Sequence, residues 1–308
     1  RQRQMWKRPG PGSGKTRVLT SRVAHLVRDS AAPIAPERCV VVTFTNRAAN
    51  EMRARLETMI GADRTRRLVL GTFHAVCVRF LRRWGTRLGL DPRFTIADTD
   101  DARRLLRDVD RDAPVDATLA AISRAKAHGW TPDELRASAQ HAPGSPAHTE
   151  HLALCRTYAA YQQQLRTSHA LDFDDLLLLG VRLFREHPEL TTHIDHVLVD
   201  EFQDTNAVQY ELLRRLSRHV SVVGDPDQSI YSWRHADVRH IERMHLDFPG
   251  LHRVLLEENY RSTPQILEAA LRVMQQDPHR LPKGLYTALA SGPPVSVVAW
   301  LLYTFTSP

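Results

Sequence analysis

The chain has 308 residues, 42% of them hydrophobic and 25% charged, enough to bury a core and to form two domains or one domain with an insertion. Its net charge of +7 allows a polyanionic partner without requiring one. Three scattered cysteines (Cys39, Cys77, Cys155) argue against a disulfide framework or zinc site and for a reducing, cytoplasmic setting, while no apolar run approaches the ~20 residues of a membrane helix and no signal core follows the basic start.

The first segment, residues 2–8, is polar and basic, so no strand is expected there. A glycine-rich stretch, GPGSGKT at 10–16, leads into residues 17–28, whose apolar side chains have helical spacing. The run CVVVTF at 39–44 predicts a buried parallel strand, and Asn46 is placed to cap a helix over 47–60. A short strand is expected at 68–70 and a helix at 74–84. From 91 to 170 no strand is evident: 100–109 and 152–165 read as helices, with a Pro/Gly/Ser-rich loop at 141–148 between them. Strands resume at 196–199 and 220–223 around a helix at 207–216; a helix at 264–274 and a strand at 295–300 follow. Strand–helix alternation broken by a helical stretch predicts an α/β fold with a parallel sheet and a helical insertion.

Two segments carry chemistry. In the first, Gly10, Pro11, Gly12, Ser13 and Gly14 form a loop opening onto a helix N-terminus, where free N–H groups and the helix dipole suit phosphate. Lys15 is placed for the β/γ-phosphates and the Thr16 hydroxyl for Mg²⁺. Only four basic residues are lysines, against 38 arginines, and one of the four stands at position 15. An ordinary turn before a helix is the plainer alternative. Pro9, where Gly or Ala is usual, and the lack of a preceding apolar strand also count against the loop. In the second segment, VLVDEFQDTN at 197–206, an apolar strand ends in two acids: Asp200 to hold Mg²⁺ and Glu201 to orient or deprotonate the attacking water. A solvated turn is the alternative, but the VLV run aims both acids at the carboxyl end of a sheet. In VVGDPDQSIY (222–231) a strand, a glycine and then polar residues follow one another, and Gln228 is a candidate γ-phosphate sensor, with an ordinary strand-end turn the alternative that the segment alone favours. Beyond Gln228, Tyr231, Trp233 and Arg234 offer an aromatic and basic platform for single-stranded nucleic acid, with core packing the alternative for Tyr231.

GPGSGKT, VTFTNRAANEMRARL (42–56), GTFHAVCVRFLRR (71–83), LDFDDLL (171–177), VDEFQDTN, VVGDPDQSIYSWRHA (222–236) and LEENYRSTPQIL (256–267) together resemble the UvrD/Rep/PcrA group of superfamily 1 DNA helicases, in the order of that family, over roughly residues 10–299. The resemblance implies a RecA-like P-loop parallel sheet with a helical insertion and the start of a second RecA-like domain. It divides the chain at 1–90 and 171–254 (first RecA-like domain), 91–170 (insertion) and 255–308 (start of the second). It implies ATP and Mg²⁺ as cofactors, hydrolysis coupled to 3′→5′ movement, and single-stranded DNA and duplex/single-strand junctions as partners. It also implies that Arg261 acts as an arginine finger, that Tyr260 and Arg17 sandwich adenine, and that Phe44, Asn46, Thr72, Phe73 and His74 line the DNA path with Tyr231, Trp233 and Arg234. Both ends depart from the family pattern, so nucleotide binding and weak single-strand binding without duplex unwinding are expected. A non-motor ATP- or DNA-binding module and the helicase part of a recombination helicase–nuclease are the alternatives. A small-molecule kinase would leave YSWR and TFH unexplained.

Overall fold

The computed structural model describes residues 5–9 (backbone only), 12–139, 142, 144–216, 219–231, 236–276 and 284–296. In chain order its elements are β1 (Met5–Pro9), α1 (Lys15–Ala24), β2 (Cys39–Thr43), α2 (Asn46–Ile60), α3 (Ala62–Arg67), β3 (Val69–Thr72) and α4 (Phe73–Trp84). The middle of the chain gives β4 (Thr95–Ile96), α5 (Thr99–Val109), α6 (Val115–Ala127), α7 (Pro132–Ala137), α8 (Pro146–Thr167), β5 (Ala170–Leu171) and α9 (Phe173–Glu186). Last come β6 (His196–Val199), α10 (Ala207–Leu216), β7 (Val220–Val223), α11 (Arg239–Asp247), β8 (His252–Leu256) and α12 (Pro264–Met274). None of the described helices is long and apolar enough to cross a membrane.

Six strands form one parallel sheet in the order β3-β2-β6-β7-β1-β8. The residues of β2, β6 and β7 are buried throughout, as expected of parallel strands covered on both faces. On one face Leu19 and Val23 of α1 and Met52 and Leu56 of α2 close over Val41 and Leu198. On the other, Phe80, Leu176, Leu177, Phe184 and Leu212 close over Val40, Val199 and Val222. Parallel register brings every strand's carboxyl end to one edge, which is where the sequence motifs meet.

The structure corrects several expectations. A strand does precede the glycine-rich loop: β1 pairs in parallel with β7 on one side and β8 on the other. Two-sided backbone pairing fixes it as a strand despite its polar composition, and Pro9 is its last residue, where the ladder ends. The stretch 91–170 is not strand-free, since β4 and β5 pair as a two-residue parallel ribbon too short for any periodicity to announce. Thr45, not Asn46, caps α2, its hydroxyl accepting from the Ala48 N–H at 3.1 Å. The helix of 152–165 begins earlier, at Pro146, because Ser145 caps it and proline suits the first helical turn. The sheet runs on through Leu256 of β8. Val295 and Ser296 are not in a strand, and the rest of the strand expected at 295–300 lies outside the described residues.

A buried ion cluster joins the insertion to the sheet domain. Lys126 of α6, its side chain fully buried, donates to Asp172 Oδ2 at 2.6 Å and to Asp175 Oδ1 at 2.7 Å at the start of α9. Tyr161 and Gln162 of α8 donate to the same two carboxylates. Burial alone would lower the Lys126 pKa, but the two carboxylates outweigh it and raise it, so the ammonium stays charged. Removing it strands two acids in a dry site. Lys126→Met should therefore cost about 3–5 kcal/mol, read as a lower urea midpoint with a nearly unchanged m-value.

Candidate nucleotide site and adjoining cavity

The loop after β1 turns through two glycines with positive φ, Gly12 (69°) and Gly14 (77°). Gly14 caps α1, and Lys15 is its first residue. Gly12 is needed twice over. Its φ disfavours any side chain, and a Cβ there would lie 2.6 Å from Arg261 Cβ and 3.0 Å from Asn259 Nδ2. Segment 259–262 thus packs directly on the loop, with the Tyr260 N–H donating to the Gly12 carbonyl at 3.1 Å. Buried Asn259 shapes that segment by accepting from the N–H groups of Arg261 and Ser262. Arg17 and Tyr260 are both exposed, and the Tyr260 hydroxyl donates to Glu258 Oε2 at 2.6 Å.

Lys15, 8% exposed, reaches across the sheet edge. Its Nζ donates to Glu201 Oε2 at 2.7 Å and to Gln228 Oε1 at 3.2 Å. Thr16 Oγ1 donates to Asp200 Oδ2 at 3.1 Å. Asp200 stands at the end of β6, its N–H tied to the Val42 carbonyl of β2. Glu201 follows in the left-handed region (φ 47°, ψ 47°), a conformation that costs a non-glycine residue energy and turns its carboxylate towards the loop. The expected residues Lys15, Thr16, Asp200, Glu201 and Gln228 therefore meet at one place. Gly10 and Pro11 lie outside the described residues.

Burial, reinforced by the neighbouring Glu201 charge, pushes the Asp200 carboxyl up to about 6, and the same two causes bring Asp204 to about 6. Such a site gains from a cation beyond Lys15. Among the described residues no three His, Cys, Asp or Glu side chains cluster as a metal cage. The donors present, one hydroxyl and one carboxylate side by side, fit Mg²⁺, which keeps several waters and takes its other ligands from phosphate.

Three residues with no assigned role complete the network. Gln203, 2% exposed, donates through Nε2 to Glu201 Oε2 (3.0 Å) and Asp204 Oδ2 (3.3 Å), and its Oε1 accepts the Asp225 N–H (2.9 Å). Asp225 accepts Gln228 Nε2 at 2.6 Å. Asn259 forms the turn beside the loop. All three stand inside motifs whose pattern was visible, but nothing in the sequence shows which motif members touch one another.

A second concavity, about 590 Å³, opens at the carboxyl ends of β2 and β3 beneath α6. Phe44, Asn46, Thr72, Phe73 and His74 all line it, so the expected DNA-path residues of these two strands share one wall. Their situations differ. Phe73 is 4% exposed and belongs to the core, and Thr72 caps α4 by accepting the Ala75 N–H. Phe44 stacks on Tyr231 with ring centroids 5.3 Å apart. Trp233 and Arg234 lie outside the described residues. The opposite wall was not foreseen. Phe173, 52% exposed, meets His74 edge-on at 5.9 Å, with Asp174, Ser123 and Arg124 beside it. Phe173 and Asp174 lie in LDFDDLL, a visible motif without an assigned role; Ser123 and Arg124 lie on α6, which gave no clear periodic signal. Asp204 borders this cavity and also touches Gln203, so the two sites share a wall.

The profile of the UvrD/REP helicase N-terminal domain matches residues 4–249. A protein described as ATP-dependent DNA helicase PcrA from Leuconostoc citreum is 41% identical over 297 residues, covering 92% of this chain and 38% of the relative. Proteins of the same description from Staphylococcus epidermidis and Staphylococcus aureus are 39% identical over 297 residues, covering 92% of this chain and 39% of each relative. The chain thus spans well under half the length of these relatives.

The raised Asp200 pKa has a signed consequence. The fold holds this proton more tightly than the unfolded chain, so the stability it brings is full below about pH 4 and lost as pH rises through about 6. In metal-free buffer the protein should gain about 1 kcal/mol through this carboxyl between pH 8 and pH 5. Asp200→Asn should lack that gain in thermal melts, be more stable than the parent at pH 8, and lose stabilisation by Mg²⁺-nucleotide.

Proposed function

Because the chain belongs to the UvrD/REP helicase family, we propose that it is the nucleotide-hydrolysing part of an ATP-dependent DNA motor that moves 3′→5′ along single-stranded DNA. One observation carries the reading. The Lys15 ammonium is shared between Glu201 and Gln228, and the segment that continues from Gln228 delivers Tyr231 onto Phe44 at the rim of the cavity. A change at the phosphate end of this connection has a short covalent path to a base-stacking surface.

In this reading the N–H groups of 12–16 and the start of α1 cradle the phosphates, and Lys15 leaves Glu201 for the β/γ-phosphate oxygens. Thr16 and Asp200 hold Mg²⁺, which neutralises charge on the phosphates when bound. Glu201, released from the ammonium, orients the attacking water and takes its proton. Gln228 contacts the γ-phosphate. Arg261, whose Cβ is pressed against Gly12, supplies positive charge to the transferring group. Arg17 and Tyr260 flank the adenine. Phe44, Tyr231 and the exposed ring of Phe173 offer stacking faces to a single strand crossing the cavity, with Asn46, His74 and Arg124 along its backbone. Junction binding, and a cytoplasmic setting where ATP and DNA are both present, belong to the same proposal.

Phosphate release by the 308-residue chain should rise with added oligo-dT. Lys15→Ala and Glu201→Gln should each reduce it by at least about a hundredfold; a basal rate indifferent to single strands in every buffer would overturn the motor reading. The cavity also carries a pH signature. Burial, then the nearby Asp172 charge, pushes Asp174 up to about 6, so this wall gains negative charge as pH rises through that value. Single-strand affinity should therefore fall between pH 5.5 and pH 7.5. Asp174→Asn should restore about fivefold of it at pH 7.5, measured by fluorescence anisotropy at fixed salt.

A further inference from the structure

Glu201 needs more than its backbone to aim its carboxylate. The side chain is partly exposed, and Oε2 is held from two directions, by the Lys15 ammonium at 2.7 Å and by Gln203 Nε2 at 3.0 Å. The two holds differ in kind. Lys15 is a flexible donor with another task once phosphate is present. Gln203 is fixed. It is 2% exposed, and its Oε1 is clamped by the Asp225 N–H. Gly224 leaves room for it: a Cβ at 224 would stand 2.9 Å from Gln203 Oε1 and 3.1 Å from its backbone nitrogen. The absence of a side chain at 224 is thus what lets this amide lie across the end of β7.

The contacts of Gln203 form a closed circuit. Lys15 donates to Glu201 and Gln228, Gln203 donates to Glu201, Asp225 donates to Gln203 through its N–H, and Gln228 donates to Asp225. The same Gln203 amide also donates to Asp204, which borders the cavity beneath α6 and whose other carboxylate oxygen, Oδ1, is buried without a hydrogen bond among the described residues. One buried side chain therefore touches the water-activating carboxylate, the strand end leading to Gln228 and Tyr231, and the wall of the adjoining cavity.

We infer that Gln203 is the positioning residue that sets the Glu201 carboxylate and transmits to it the occupancy of the single-strand cavity, through Asp204 on one side and the segment 225–231 on the other. This rests on the functional reading above and adds to it the route by which DNA regulates hydrolysis. When Lys15 turns to phosphate, the Gln203 amide remains, among the described residues, as the donor on Glu201 Oε2. A strand that shifts Asp204 or the 225–231 segment moves that amide and so re-aims the base.

The test is steady-state phosphate release by the 308-residue chain, with ATP varied, with and without saturating oligo-dT. Gln203→Ala should lower kcat with oligo-dT by about 30- to 100-fold, leave KM for ATP within about threefold, and collapse the ratio of stimulated to unstimulated rate towards one. A merely structural role would raise KM or lower both rates in proportion, leaving the ratio intact. Gln203→Glu keeps the shape but loses the N–H donor and adds a carboxylate beside Glu201 and Asp204. It should show the same kcat loss and collapsed ratio, and it serves as the second variant if the alanine chain does not fold. A Gln203 variant that keeps both kcat and the stimulation ratio while the parent is stimulated overturns this inference alone. A parent chain whose hydrolysis ignores single strands overturns the functional reading, and this inference with it.

Discussion

The ammonium of Lys15 is the point on which the edge of this sheet is organised. It joins the loop after β1, the turn after β6 and the segment after β7. Parallel topology makes such a junction possible, because six strands running in one direction deposit all their exits on the same side. β7 lies between β1 and β6, so the loop must reach over one strand to find Glu201. A lysine stem has the length and flexibility for that span, and its compact charge can serve two acceptors at once.

The local costs cluster around this junction. Glu201 accepts a left-handed backbone, burial pushes the carboxyls of Asp200 and Asp204 up to about 6, and Gln203 is packed where only a glycine neighbour leaves room. Away from the junction the chain is mostly regular, with apolar strands buried on both faces and full capping boxes at the starts of α5, α7 and α9, although His169 before β5 shares the left-handed φ of Glu201. Backbone strain and buried acids thus gather at the carboxyl edge of the sheet, the kind of pre-organisation that the proposed phosphate site would need. The insertion spends its own buried charges differently, on fixing α6 and α8 against α9 around Lys126.

Much of this was legible in the residues, and the illegible part has definite physical causes. The apolar runs at β2, β6 and β7 announced themselves because both faces of these strands are buried. The motif at 197–206 announced its acids because they end such a run. β1 was invisible because its place comes from pairing with two neighbours rather than from composition, and β4 and β5 because two residues cannot show a period. Around the cavity, the wall from β2 and β3 was readable from two motifs, whereas Ser123 and Arg124 arrive from an insertion helix by tertiary packing alone. Gln203 stood in plain view within DEFQDTN. Its importance depends on what it touches, and contacts between distant strand ends leave no trace in spacing.

The scarcity of lysine has a practical consequence. Lys15 and Lys126 are both buried against carboxylates, and the surface carries its positive charge mainly as arginine, which amine-directed reagents ignore. An acylating reagent meets Lys15 only when Glu201 and Gln228 release it, and Lys126 only when the packing of α6, α8 and α9 comes apart. Progress of acylation at these two positions, followed by peptide mass, would time the opening of the loop after β1 separately from the undocking of the insertion within a single molecule.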